Sequence, residues 1–431
     1  MAISTSSLRF DRNRHHRLSL SSPLPCNTMR YSSSTFAYGI IATALLLTLH
    51  GECHGSDWGQ FRGPDASGIA AEADAPSLPL KISWSADLPG RGLSSPIIVG
   101  DRAFVTCSSG PEQLSLHVIC FDAKKGNRLW ERVMRATGRT MSHNKTCVAA
   151  PTPCSDGQRI FALFSSNDLF AFDLNGNLLW LRGLTYDYAN ASNSLGMSQS
   201  PIVIGDTLVV QSENDSESFA AGIDVKTGIN RWKIDRPKAA NWTSPVVWKS
   251  PSNDSVVALQ SSKGLLGLDP TSGKSIWNYE DGASTIPSSI VGKSVIFAVS
   301  HGVTALRPEG GSISQLWRNE KLNPGTASPL LVGGSLFVVN NAGVLIKANM
   351  DSGDEAWKLR LKGPISGSPV GAGRYIYIAS ERGDFQVVDT SSKEGEVIQI
   401  LELKETILCT PAVAGKAVFV RSDGKLWCLN G

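Results

Sequence analysis

The chain has 431 residues, 41% of them hydrophobic and 18% charged, which is enough apolar material for a large buried core. Its formal net charge is only +3, and residues 1–55 account for all of it: they hold five Arg and two acids, so 41 basic and 38 acidic side chains become 36 and 36 beyond residue 55. A balanced chain without a basic run excludes nucleic acid as the expected partner.

In chain order, residues 1–55 read as a leader and signal peptide. Phe36 to Leu49 is an apolar run of 14 residues, too short to span a bilayer and the right length for a signal core. Met29-Arg30 offers an alternative start. Glu52 and His50 do not suit a lipid-anchored Cys53. The expectation is an exported chain, periplasmic or extracellular, with membrane association left open and no transmembrane span after cleavage. Residues 56–81 read as an extended N-terminal segment.

From residue 82 onward one phrase recurs. It opens with a small residue and proline, passes through short apolar runs, and closes with Asp, a Gly turn and a Trp four residues after the Gly. The openings are Ser95-Pro96, Thr152-Pro153, Ser200-Pro201, Ser244-Pro245, Ser288-Ser289, Ser328-Pro329, Ser368-Pro369 and Thr410-Pro411, at steps of 57, 48, 44, 44, 40, 40 and 42 residues. That spacing matches the period of four-stranded propeller blades. Runs such as Ile97-Ile98-Val99 and Val118-Ile119, bounded by Gly, Asp and Ser, are strand and turn chemistry. Asp before a Gly turn makes a tight hairpin, because Asp bonds its own backbone and Gly supplies positive φ.

The last copy stops at Gly431 before any Trp-bearing fourth strand, while Ile82 to Leu88, with Trp84, stands alone before the first copy. The sequence therefore predicts an all-β, eight-bladed β-propeller of four-stranded antiparallel blades over residues 82–431. Its eighth blade is shared between residues 82–88 and 409–431, which closes the ring and removes its open edges.

The copies are unequal. On the face where fourth-to-first and second-to-third strand connections emerge, blades four to eight have minimal turns. Blades one to three carry Arg135 to Pro151, Thr185 to Gln199 and Ser212 to Ser218, and Lys238 to Trp242 lead into blade four. Long polar connections cost ordering entropy, so their clustering marks a functional surface. The candidates are His143, Asn144, Lys145, Tyr186, Asp187, Tyr188, Asn190, Asn193, Glu213, Asn214, Asp215 and Trp242. His143 reads first as a hydrogen-bonding loop residue. Glu213 and Asp215 offer carboxylates to Ca²⁺, although a solvated acidic turn is the plainer reading. Cys107 with Cys120, and Cys147 with Cys154, read either as bridges or as pairs of buried thiols. No phosphate-binding loop, zinc-protease or nucleophile-elbow motif is present.

The closing phrases Asp122-Ala123-Lys124-Lys125-Gly126-Asn127-Arg128-Leu129-Trp130, Asp224 to Trp232 and Asp269 to Trp277 resemble the tryptophan-docking repeat of the pyrroloquinoline-quinone-like propellers. The resemblance implies that Trp84, Trp130, Trp180, Trp232, Trp277, Trp317 and Trp357 each pack against a neighbouring blade. It also implies weaker docking at blades five and seven, where the Gly311-to-Trp317 spacing is longer and Glu396 to Ile400 lack a Trp. Asp57-Trp58-Gly59-Gln60-Phe61-Arg62-Gly63-Pro64 is similar to the entry segment of secreted bacterial members. Two functional classes share this fold. One comprises non-catalytic binding scaffolds like BamB, implying an envelope protein partner and no cofactor. The other comprises dehydrogenases of alcohols or sugars that use pyrroloquinoline quinone (PQQ) and Ca²⁺. No two cysteines are adjacent here, and no Glu, Asn or Asp aligns with a metal set, so the scaffold reading is preferred.

Overall fold

A computed structural model of the chain describes residues 57–191 and 195–431. The proposed leader, residues 1–55, lies outside the described residues, as does Asn193. The described chain forms eight sheets, seven of four strands and one of five, in each of which four antiparallel strands run in order from the ring axis outward. Blade one, for example, is Ile97–Val99, Arg102–Ser109, Ser115–Asp122 and Arg128–Arg135. Inner strands are buried on both faces and nearly continuous in apolar residues, so they lack the alternation that marks the outer ones. In blade eight, Lys81–Asp87 forms the outermost strand and pairs antiparallel with Lys425–Asn430. The strand that precedes blade one thus completes the last blade.

The opening Ser or Thr of each phrase has a specific task. Its backbone N–H donates to the hydroxyl of the next opening, from Ser95 to Thr152 and on through Ser200, Ser244, Ser288, Ser328 and Ser368 to Thr410, at 2.9–3.0 Å. Blade-to-blade bonds of this kind set the period as firmly as the apolar core does. Between blades eight and one the junction is different, because the Ser95 hydroxyl has no partner. Fully buried Arg421 spans that junction, donating to the Ser94 hydroxyl at 3.0 Å and the Thr106 carbonyl at 2.6 Å.

At the outer ends the tryptophans reach across the blade boundaries. The indole N–H of Trp84, Trp130, Trp180, Trp232 and Trp317 donates to a carbonyl in the following blade's hairpin at 2.8–3.1 Å. Each ring lies against the turn glycine there; at Gly126 an added Cβ would come within 2.5 Å of Trp84. Only a residue without a Cβ that also tolerates φ of 74° fits that position. The indole N–H groups of Trp277 and Trp357 are buried without a partner. These two face blades five and seven, whose closing turns are the irregular ones.

Residues 57–74 cross the inner end of the channel and are more structured than an extended strand. Trp58, fully buried, forms a bridge to Ile98 of blade one, and Gly59 accepts from Ser155 of blade two. Buried Arg62 donates to Pro329 of blade six. Ala66, in the 3-10 turn Pro64–Ala66, packs among Val246 and Trp248 of blade four. Ile69–Ala70 then adds a parallel strand inside blade seven. A second 3-10 turn follows at Glu72–Asp74.

All six described cysteines are buried free thiols, so neither bridge forms. The pairs fail geometrically: Cys107 faces the core between blades eight and one and Cys120 the core between one and two. Cys147 and Cys154 likewise lie in different cores on either side of blade two. Burial pushes the Cys120 and Cys147 thiols up to about 12, which keeps them protonated and unreactive.

Candidate functional site

On the face that bears the long connections, the opening Ser and Thr residues surround a central funnel of about 410 Å³. Phe61 forms its floor, and Leu93, Leu195, Trp242, Ile286 and Leu408 form much of its wall. His143 and Lys145 stand at the mouth. The connection of residues 135–151 places them there because its backbone is tied at both ends: Thr137 donates to buried Asp168, and the His143 N–H to the Leu195 carbonyl. Asn144 sits beside them, its carbonyl accepting from Arg91.

Lys145 reaches across the funnel to Glu381 of blade seven, with Nζ 3.0 and 3.1 Å from the two carboxylate oxygens. Burial alone raises the Glu381 carboxyl, but the Ser366 hydroxyl and Lys145 outweigh it and hold the carboxyl below its ordinary value. His143 Nδ1 accepts the Lys145 N–H at 3.1 Å, so the ring proton resides on Nε2. The funnel mouth therefore offers donors.

The remaining candidates divide. Tyr186, in the short helix Leu184–Asp187, is 80% exposed. Asp187 is exposed and paired with Arg182, and Asn190 is exposed with its N–H donating to Glu217 at 3.2 Å. Tyr188 is committed to the fold: its ring lies 4.0 Å from that of Phe219 and its hydroxyl accepts from Asn230 at 2.6 Å. Trp242 lines the funnel while its indole N–H donates to the Gly196 carbonyl at 2.7 Å.

Glu213 and Asn214 are not surface residues; they are 1% and 2% exposed. Glu213 turns inward to meet Arg236 Nε at 2.6 Å, Asn241 Nδ2 at 3.0 Å and Gln211 Nε2 at 2.8 Å. Burial pushes its carboxyl up, against the pull of Arg236. Asp215 is exposed whereas Glu213 is buried, so the two carboxylates do not converge on a cation. Among the described residues no cluster of three or more His, Cys, Asp or Glu side chains has a metal-holding arrangement.

The funnel also fails to fit PQQ and its Ca²⁺. Among the described residues its lining contains hydroxyls, apolar groups, His143 and Lys145, with no carboxylate or side-chain amide, whereas a hard cation requires several such oxygens. Sequence reasoning missed Arg421, Arg236 and Arg62 as buried structural cations. A signal existed for Arg421: it lies eleven residues after its opening Thr410, and Gln211 stands at the same offset from Ser200.

Comparison with known proteins agrees with this architecture. The family model described as outer membrane protein assembly factor BamB matches residues 81–195, 189–358, 299–398 and 349–431. Outer membrane protein assembly factor BamB of Moranella endobia (strain PCIT) is 24% identical over 298 residues, covering 67% of this chain and 70% of that protein. The crystal structure of BamB from Moraxella catarrhalis superposes with a TM-score of 0.60 at 15% identity, covering 82% of this chain and 98% of that one. A europium-containing methanol dehydrogenase gives 0.68 at 13% identity, with 87% and 98% covered. Quinohemoprotein alcohol dehydrogenase from Comamonas testosteroni gives 0.64 at 12%, with 87% and 80% covered. At such identities the structural likenesses establish the fold alone, while the sequence match spans nearly all of residues 81–431. The chain belongs to the pyrroloquinoline-quinone-like β-propeller family described as outer membrane protein assembly factor BamB.

Proposed function

We propose that this protein is an exported, non-catalytic binding scaffold of the cell envelope that engages a protein partner through the loop face of blades one to three. The observation that carries the reading is the funnel mouth, where His143 and Lys145 project from an anchored connection, while among the described residues no His, Cys, Asp and Glu cluster is arranged to hold a metal. Exposed Tyr186 extends the same face outward, and aromatic residues on a fixed base are suited to protein contact. Family membership supports the reading, since the relative from Moranella endobia is named as an assembly factor. No helix among the described residues is long and apolar enough to cross a membrane.

Photo-crosslinking residues placed singly at 143, 145 and 186, with position 398 on blade seven as a control, test this directly. The expected result is one common envelope protein captured from the first three positions and not from the control. Equal capture from all four positions, or from none, overturns the assignment of the face. Titration with PQQ and Ca²⁺ is expected to give no saturable heat.

A further inference from the structure

We propose that the central funnel is a carboxylate-binding site, which takes a ligand with one carboxylate on an apolar stem. The inference deepens the binding reading above and rests on it only for the source of the ligand.

The argument starts from the hydroxyl collar. Seven oxygens, from Thr152 to Thr410, each accept a backbone N–H from the preceding blade. A hydroxyl has one hydrogen to donate. Among the described residues none of these seven donates it to a protein acceptor, although all seven side chains line the funnel. The collar is a ring of O–H donors whose oxygens are already held in place. Such a ring favours an acceptor-only group, because donor–carboxylate hydrogen bonds are stronger than neutral ones. A cation would find one remaining lone pair on each hydroxyl and no carboxylate in the described lining to balance its charge.

Charge and shape narrow the ligand further. No carboxylate lines the funnel, and the nearby Glu381 is neutralised by Lys145. His143 presents Nε2–H at the mouth. Around the collar, Leu93, Leu195, Trp242, Ile286 and Leu408 face a volume of about 410 Å³, within the range of small-ligand pockets. Donors inside an apolar wall select a carboxylate carried on an apolar group. Two sources have that chemistry: a free aliphatic acid, and the C-terminal residue of a partner polypeptide ending in an apolar side chain.

Calorimetric titration of the full chain tests the proposal with four probes: hexanoate, hexanol, and a pentapeptide ending in Leu as the free acid and as the amide. Each acid is expected to bind at least tenfold more tightly than its neutral counterpart. A tighter free-acid peptide identifies a chain terminus as the source, and a tighter hexanoate identifies a small acid. Ile286→Glu places a negative charge at an exposed part of the rim, where folding is not at risk, and is expected to weaken acid binding at least tenfold with an unchanged melting temperature. Ser288→Ala removes one collar donor and is expected to weaken it severalfold. Binding of neither acid, equal binding of acid and neutral probes, or an unaffected Ile286→Glu variant overturns the proposal. None of these results alters the crosslinking outcome, so the two failures remain distinguishable.

Discussion

The junction between blades three and four buries a charged pair, whereas the next junction, between four and five, uses neutral groups in its interior and leaves its Arg318–Asp281 ion pair exposed to solvent. At the first, Glu213, Arg236, Asn241 and Gln211 form a buried network. At the second, Gln260 alone accepts the Ser289 N–H at 2.8 Å and donates to the Ser284 and Pro287 carbonyls at 2.6 and 3.0 Å. Outer-edge docking differs too: the Trp232 indole N–H reaches Pro270 at 2.8 Å, while that of Trp277 has no acceptor. Much of what looks like a polar binding surface in the loop-rich blades is therefore internal wiring. The ordering cost of those loops is offset by buried hydrogen bonds, and only a few of their side chains remain to meet a partner.

The strongest way to break this comparison is to remove the carboxylate. Glu213→Ala leaves Arg236 buried without its counter-charge and should cost about 3–5 kcal/mol. Gln260→Ala, which strands neutral groups only, should cost about 1–3 kcal/mol. Urea unfolding of both variants checks the order, and equal losses would mean that the charged network is not special.

A smaller effect comes from the indoles. Trp232→Phe keeps most of the apolar contact but loses one hydrogen bond, for an expected loss of about 1 kcal/mol. Trp277→Phe removes a donor that has no acceptor, so its hydrogen-bond contribution should be neutral or slightly stabilising. Thermal unfolding compares the two directly; a larger loss at Trp277 would show that its N–H is satisfied in solution.

The two junctions also show what the sequence could reveal. The ring was legible because a repeat of about 40 to 57 residues with fixed turn chemistry admits few folds. The long Gly311-to-Trp317 spacing did not weaken the docking of Trp317, whose indole N–H still reaches Met350, whereas Trp277 and Trp357, at regular spacing, have no acceptor. Connection length singled out His143, Lys145 and Trp242, which line one funnel. Direction was not legible. Glu213 follows the strand Thr207–Ser212, buried on both faces, so alternation could not tell inward from outward, and its charge suggested solvent. The channel crossing of residues 57–74 was hidden because its contacts are to several blades distant in sequence, and no periodicity marks them. The thiols misled for a related reason: proximity in sequence across a hairpin does not place two side chains on one face of the sheet.

The smallest expected effect concerns acid. In the closing turn of blade three, Arg231 Nη2 bonds Asp224 at 2.6 Å, and the N–H groups of Lys226 and Thr227 add to it. Arg231 first, then these turn donors, hold the Asp224 carboxyl well below its ordinary value. In blade four, burial raises the Asp269 carboxyl, but the N–H groups of Ser272 and Thr271 outweigh it and the net shift is downward. A depressed folded value means that each carboxylate contributes stability above the unfolded value near 3.8, lost as pH falls through the depressed one. Both turns are solvent-exposed, so screening limits the contribution to the order of 0.5 kcal/mol each. Asp224→Asn should therefore cost that much at neutral pH and flatten the decline in stability below about pH 4. Asp269→Asn, with no arginine to lose, should do so less. Chemical unfolding from pH 7 to pH 2.5 measures both slopes. A steeper decline in Asp224→Asn than in the unmodified chain would reverse the assignment of Arg231 as the dominant partner.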